Sequence, residues 1–311
     1  MIRGLMLCNF AKESFMRLTH TAFTATFPTF FLGLAAAFQI TALYVYHGHK
    51  PDWLLTTLCF VITTGTYLLN RIFDKEDKIN NVSRWNFFNS SIKKSVSWIF
   101  LSIAALTVPV FLLMILKQYQ IALLFGIISA IGLIYTVKIL PFCRNGVIYW
   151  TNLKSIPIGK NIIVCTIWGG GAIAISSVFL NINPFRSDLL MLFIAFFTGS
   201  CNSNIGADAR DIDGDTMCEI KTLSSLIGFK NTFYLLSGIN TAGLLTVIIL
   251  YNIGIGTYNL ALCSSICIIW SELSIIPQFT FPQHMGKIAT EILADSQHLL
   301  CAPLLIAFTA L

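Results

Sequence analysis

Nine apolar stretches, each long enough to cross a hydrocarbon core as a helix, constrain this chain more than any other feature. They run over Thr21–Tyr46, Asp52–Phe73, Ser95–Leu116, Tyr119–Val137, Asn161–Leu180, Ser187–Ala207, Asn231–Tyr251, Gly256–Pro277 and Thr290–Leu311. In lipid a backbone must satisfy its own hydrogen bonds, so this spacing predicts an all-α polytopic membrane protein with nine transmembrane helices. The eighth stretch carries an acid, Glu272, inside its apolar run. Residues 1–20 hold Arg3, Lys12, Glu13 and Arg17 with no long apolar core, and are expected to lie as a helix in the membrane interface. No linker or composition shift divides the chain, which is expected to form one domain over residues 1–311.

Composition agrees with a bilayer setting. Only 11% of residues are charged and the mean hydropathy is +0.76, where a soluble domain would carry about a quarter charged residues. A water-soluble enzyme, a disordered tail and a nucleic-acid-binding protein are all excluded on that ground. The formal charge of +6 is distributed by topology. Seventeen Lys/Arg fall in the N-terminal segment and the alternate loops that share its side, against three (Lys50, Lys117 and Arg186) on the other. That asymmetry predicts a cytoplasmic N-terminus. The nine cysteines form no CxxC pair, and Cys263 and Cys267, four apart in an apolar run, read as packing.

The acids are concentrated. Eight of the 14 Asp/Glu fall in two short segments: Asp74, Glu76 and Asp77 after the second stretch, and Asp208, Asp211, Asp213, Asp215 and Glu219 after the sixth. Both lie on the basic side. The spacing Asn70-x3-Asp74-x2-Asp77 reappears as Asn204-x3-Asp208-x2-Asp211, which suggests an internal duplication. If each helix continues, a turn of roughly 100° per residue puts Asn70, Asp74 and Asp77 on one narrow stripe. Asn204, Asp208, Asp211 and Asp215 form a second stripe, provided Gly214 does not break the helix. Glu76 and Asp213 point elsewhere. Five carboxylates at one membrane boundary repel one another, and a hard divalent cation such as Mg²⁺ relieves the repulsion with open positions to spare. Hydrated helix-end acids are the plainer alternative. A cation transporter is a third, though its acids belong at mid-bilayer and these sit at helix ends.

At these residues the chain resembles the UbiA superfamily of intramembrane prenyltransferases. The first family motif appears as Asn70-Arg-Ile-Phe-Asp74-Lys-Glu-Asp77, one residue short, with Arg71 at a position where the family frequently has Asp. The second is Asp208-Ala-Arg-Asp211-Ile-Asp-Gly-Asp215, continuing through Lys221-Thr222-Leu223. Leu133-Ile-Tyr135-Thr-Val-Lys138 resembles the family's tyrosine-containing motif, and Asn152 through Lys160, Asn161 and Trp168 its next segment.

The resemblance implies nine helices around a central cavity that opens toward the cytoplasm. There Mg²⁺, held by Asp74, Asp77, Asp208, Asp211 and Asp215, binds an allylic prenyl diphosphate. Asn70, Asn204, Arg84, Lys138, Lys160 and Lys221 are the expected head-group contacts, with Tyr135 and Trp168 facing the allyl cation. Arg144 and Lys154 are assigned to topology alone. The implied reaction is prenyl transfer to an aromatic or lipid acceptor, with Asp74, Asp77, Asp211 and Asp215 catalytic; the alternative is cyclisation of farnesyl or geranylgeranyl diphosphate without an acceptor. Asp295 and His298, ionisable and close to the ninth stretch's start, are further candidates unless hydrated at the interface.

Overall fold

Capping residues set the helix boundaries. The Asp52 side chain accepts a hydrogen bond from the Leu55 backbone N–H at 2.8 Å and starts α2 (Trp53–Phe73). Ser91 does the same for Lys94 at the head of α5 (Ile92–Ile115). Before α2 runs α1 (Ile2–Tyr46), and between α2 and α5 lie two short helices, α3 (Asp77–Asn80) and α4 (Val82–Asn89). Helix α6 (Tyr119–Thr136) is followed by an antiparallel hairpin that the all-helical expectation did not include, β1 (Leu140–Arg144) with β2 (Val147–Thr151). Then come α7 (Gly159–Phe179), α8 (Leu189–Arg210), α9 (Ile212–Met217) and α10 (Leu223–Ile227). Gly228, at φ +83°, takes a left-handed turn into α11 (Phe229–Asn252). Helices α12 (Tyr258–Thr280) and α13 (Lys287–Thr309) complete the bundle.

This computed structural model describes the backbone of residues 2–144, 146–156, 159–217, 220–280 and 287–309. Its side chains are described from residue 21 on, apart from 142, 144, 147, 155, 287, 288 and 309. The interfacial placement expected for residues 1–20 therefore lies outside the described side chains. Among the described residues, nine helices are long and apolar enough to cross a bilayer, and they coincide with the nine apolar stretches of the sequence.

Burial sorts those nine into centre and rim. Two thirds of the α8 span is buried (67%) against 22% of α5, so α8 runs through the middle while α5 turns Phe100 and Phe111 outward. The two largest apolar clusters share α1 and α7. One joins Leu43, Leu192, Val247, Ile268 and Leu305; the other joins Tyr44, Leu58, Leu113, Phe125 and Ile175. Both draw mainly on the ends of the helices remote from the acidic segments, which leaves the acid-bearing end free to hold a polar cavity. Glu272, inside the eighth span, accepts hydrogen bonds from Ser237 at 2.6 Å and Asn240 at 2.7 Å, so its charge faces α11 and not lipid. Cys263, Cys267 and Cys301 are buried with their sulfurs within 4.8 Å of one another. Thiolates about a divalent ion there would carry net charge into an apolar cluster without a basic residue, so they serve as packing.

Helices meet closely at small residues, since lipid gives apolar faces little reason to associate. A Cβ on Gly65 would lie 2.6 Å from the Ala105 Cβ and 3.2 Å from the Ser102 carbonyl oxygen, so α2 rests directly on the backbone of α5. Gly65→Leu is expected to destabilise the detergent-solubilised protein by about 1–3 kcal/mol, the usual cost of overpacking. An unchanged thermal midpoint would show that α2 and α5 do not pack this tightly.

Candidate functional site

Helix α2 stops at Phe73, and that stop builds the site. Asp74 occupies the C-cap with φ −75° and ψ 90°, and the chain turns before α3 begins. Along an unbroken helix Asp74 and Glu76 would point about 200° apart. The turn instead brings both to one cation: Lys154 Nζ donates to Asp74 Oδ1 at 2.8 Å and to Glu76 Oε2 at 2.6 Å, with all three side chains buried. This corrects two expectations. Glu76 does not point away, and Lys154 is no mere topological charge, because the hairpin and the 3-10 turn after it (Leu153–Ser155) carry it inward. The Arg144 side chain lies outside those described.

Asp77 also departs from the projected stripe. Arg84 grips it bidentately, Nε to Oδ2 at 2.6 Å and Nη2 to Oδ1 at 2.5 Å, while Nη1 reaches Glu291 on α13 at 3.2 Å. Both Asp77 oxygens are thus engaged by protein, and Asp77 is not among the residues that line the cavity. Its part is to tie α3 to α4 and, through Arg84, to α13.

The second acidic segment keeps most of its stripe. Asn204 and Asp208 lie in the last turns of α8, and Asp211 caps it. The chain then continues helically through α9, where the Asp215 N–H bonds to the Asp211 carbonyl at 2.9 Å. Gly214 does not break α9. It sits against the Asn80 side chain of α3 with no space for a Cβ, so it joins the two acidic segments. From α7, Asn161 Nδ2 donates to Asn204 Oδ1 at 2.7 Å and to Asp208 Oδ2 at 2.9 Å, and Lys160 pairs with Asp208 Oδ1. Asp213 is exposed.

These residues face one cavity of about 120 Å³, lined by Asn70, Asp74, Glu76, Asn204, Asp208, Asp211 and Asp215 together with Arg84, Tyr135, Lys154, Lys160 and Trp168. Lys138 and Lys221, expected as head-group contacts, are exposed and outside it, a further correction: the chain beyond α6 and before α10 turns them away from the helix ends. Tyr67, Arg71 and Arg210, which the sequence does not single out, also line the cavity, and the candidates Asp295 and His298 are buried in its lining. The Trp168 indole N–H donates to the Tyr67 hydroxyl at 2.8 Å, and its ring stacks on His298 at 4.4 Å. Below lie two apolar cavities of about 100 Å³ each. The first shares Tyr67, Tyr135 and Trp168 with the polar cavity, and the second shares Thr66, Ile128 and Ile167 with the first. A polar head region therefore leads into an apolar path between α2, α6 and α7.

Charge in the head region is unevenly neutralised. Among the described lining residues seven are acids and five are Lys or Arg. Burial alone would raise Asp74, but the charge and hydrogen bond of Lys154 hold it below the usual carboxylate range. Glu76, sharing the same cation, is pushed up to about 8, chiefly by burial. Burial and the nearby Asp208 charge push Asp215 up to about 6. Asp215 Oδ2 is buried without a hydrogen-bond partner, an uncompensated acceptor that a bound cation would satisfy. The donor set is all oxygen, which suits a hard divalent ion.

A nine-span membrane bundle with an acid-lined cavity at one helix end defines the class of molecule. The UbiA prenyltransferase family model matches residues 26–276, and the chain belongs to that family. Solved structures share the fold. A UbiA homologue from Archaeoglobus fulgidus, bound to GPP and Mg²⁺, superimposes with a TM-score of 0.58 at 13% identity, covering 92% of this chain and 95% of that one. An apo UbiA homologue from Aeropyrum pernix K1 gives 0.55 at 12%, covering 90% and 97%. A digeranylgeranylglyceryl phosphate synthase gives 0.50 at 17%, covering 90% and 96%. No curated protein matched the chain.

Because Lys154 balances two buried acids, Lys154→Met leaves both uncompensated and should destabilise the protein by roughly 3–5 kcal/mol. Lys138→Met, at an exposed lysine, should change little. Equal thermal midpoints for the two variants would remove Lys154 from the site.

Proposed function

We propose that the chain is a Mg²⁺-dependent intramembrane prenyltransferase that ionises an allylic prenyl diphosphate and passes the prenyl group to an aromatic or lipid acceptor. The observation that carries this reading is the convergence of Asp74, Asp208, Asp211 and Asp215 on one cavity, with the Asp215 Oδ2 uncompensated and an apolar path leading away from the acids. The A. fulgidus relative, bound to GPP and Mg²⁺, supports the choice of diphosphate and metal.

Asp74, Asp208, Asp211 and Asp215 would hold the ion, with Asn70 and Asn204 beside them. Bound there, Mg²⁺ supplies Lewis-acid stabilisation of the departing diphosphate. The protein's own cations set the acids in place: Lys154 orients Asp74, and Lys160 with Asn161 orients Asp208. Tyr67, Tyr135 and Trp168 line the junction between polar and apolar cavities, where aromatic faces stabilise an allylic cation and exclude water. The prenyl tail lies along α2, α6 and α7. The excess of basic residues on the motif side supports a cytoplasmic mouth and a cytoplasmic N-terminus.

Asp211→Asn should abolish most Mg²⁺-dependent pyrophosphate release from farnesyl or geranylgeranyl diphosphate, whereas Asp213→Ala, at an exposed position, should release it at near wild-type rates. Near-normal release by D211N at low Mg²⁺ would remove the metal assignment. The same assay without acceptor separates the two fates of the cation. A transferase gives little product until an acceptor completes the site. Abundant cyclic hydrocarbon or alcohol, lost in Asp74→Ala, would replace transfer by cyclisation.

A further inference from the structure

Among the described residues five basic side chains line the head cavity, and four of them are already engaged by the protein. Arg84 holds Asp77 and Glu291, Lys154 holds Asp74 and Glu76, Lys160 holds Asp208, and Arg210 donates to the Gln278 amide oxygen at 2.6 Å. Arg71 differs. It lines the same cavity from the last turn of α2, next to Asn70, yet among the described residues no hydrogen bond or ion pair is made by it. Its Nε is buried with no partner. Asp74 and Asp295 lie near enough to feel its charge without bonding to it.

A guanidinium always carries its proton and cannot escape burial by neutralising. Left without an acceptor in a half-closed cavity it costs stability, which the fold tolerates only where something else returns the cost. The ligand that suits it is an oxyanion, because the planar fork matches two oxygens of a phosphate. We propose that Arg71 is the anion receptor of this cavity and donates hydrogen bonds to non-bridging oxygens of the substrate's diphosphate. This rests on the function proposed above. When the allylic C–O bond breaks, its electron pair leaves with the bridging oxygen, the diphosphate gains one negative charge, and the prenyl fragment carries the positive one. Of the described cavity cations, Arg71 and Arg210 have no acid of their own, and Arg210 is already held by Gln278, so Arg71 meets that new charge without breaking an existing bond.

Two probes test the assignment on the full chain in lipid nanodiscs: inorganic pyrophosphate with Mg²⁺, and farnesyl thiolodiphosphate with Mg²⁺, each by calorimetry. Arg71→Gln should weaken both by about 10–100-fold, the range for hydrogen bonds to a charged group. Arg71→Lys, which keeps the charge and loses the fork, should fall between. The ligand-free R71Q variant should melt no lower than the wild type, since a half-buried charge with no partner among the described residues has been removed. R71Q binding within twofold of the wild type for both probes would overturn the proposal. So would a clearly lower melting point of ligand-free R71Q, which would mean that Arg71 braces Asp74 or Asp295. Loss of the thiolodiphosphate alone, with pyrophosphate affinity intact, would also overturn it, because the phosphates are common to both. If the wild type binds neither probe, the prenyl diphosphate reading falls and Arg71 with it; if D211N loses both probes and R71Q neither, the reading stands and Arg71 alone is displaced.

Discussion

A buried carboxylate at the end of a membrane helix has to be answered by a positive charge, because neither lipid nor packed side chains can solvate it. The acid-bearing end of this bundle is organised around that requirement. Lys154 answers Asp74 and Glu76, Arg84 answers Asp77 and Glu291, and Lys160 answers Asp208. Each pairing joins separate elements: the loop after the hairpin to the end of α2, α4 to α3 and α13, and α7 to α8. The ion pairs that make the charges tolerable are therefore also the ties that close the helix ends around a cavity.

Such pairing leaves a surplus. Among the described lining residues seven acids face five bases, and the remainder is not spread evenly. An Asp215 oxygen is buried without a partner, and so is the Arg71 Nε. An orphan acceptor and an orphan donor in one cavity are complementary to a ligand that carries both signs, such as a diphosphate with its metal ion. Remote from this end, the apolar clusters around Leu192 and Phe125 hold the helices together, which is what supports a polar cavity at the other.

Local capping and tertiary pairing divide the work of placing the acids. Asp211 and Asp215 stay on a helical path, since the hydrogen bond from the Asp215 N–H to the Asp211 carbonyl carries the turn from α8 into α9. Asp74 leaves its helical path, since Lys154 draws it and Glu76 together. The two segments share a spacing in sequence yet take different backbone routes, and contact between Gly214 and Asn80 is what sets them side by side.

By itself the sequence determined the nine spans, the end at which the acids gather, and the placing of Asn70, Asn204 and Asp208 on helix faces. Those properties depend on run length and helical period, which are local. Tertiary structure decided which charges meet. Lys154 lies 80 residues from Asp74, Glu291 lies 207 residues from Arg84, and nothing near either residue in sequence announces its partner. Lys138 and Lys154 look alike in the chain, the first two residues past α6 and the second in the turn after the hairpin, but the hairpin between them leaves one exposed and carries the other into the cavity. A helix that continued would put Asp77 on one face with Asp74; Asp77 leaves that face because α2 ends at Phe73. A helix end at a polar membrane boundary is worth little locally, so long-range ion pairs choose where it falls and with it which carboxylates remain open to a ligand.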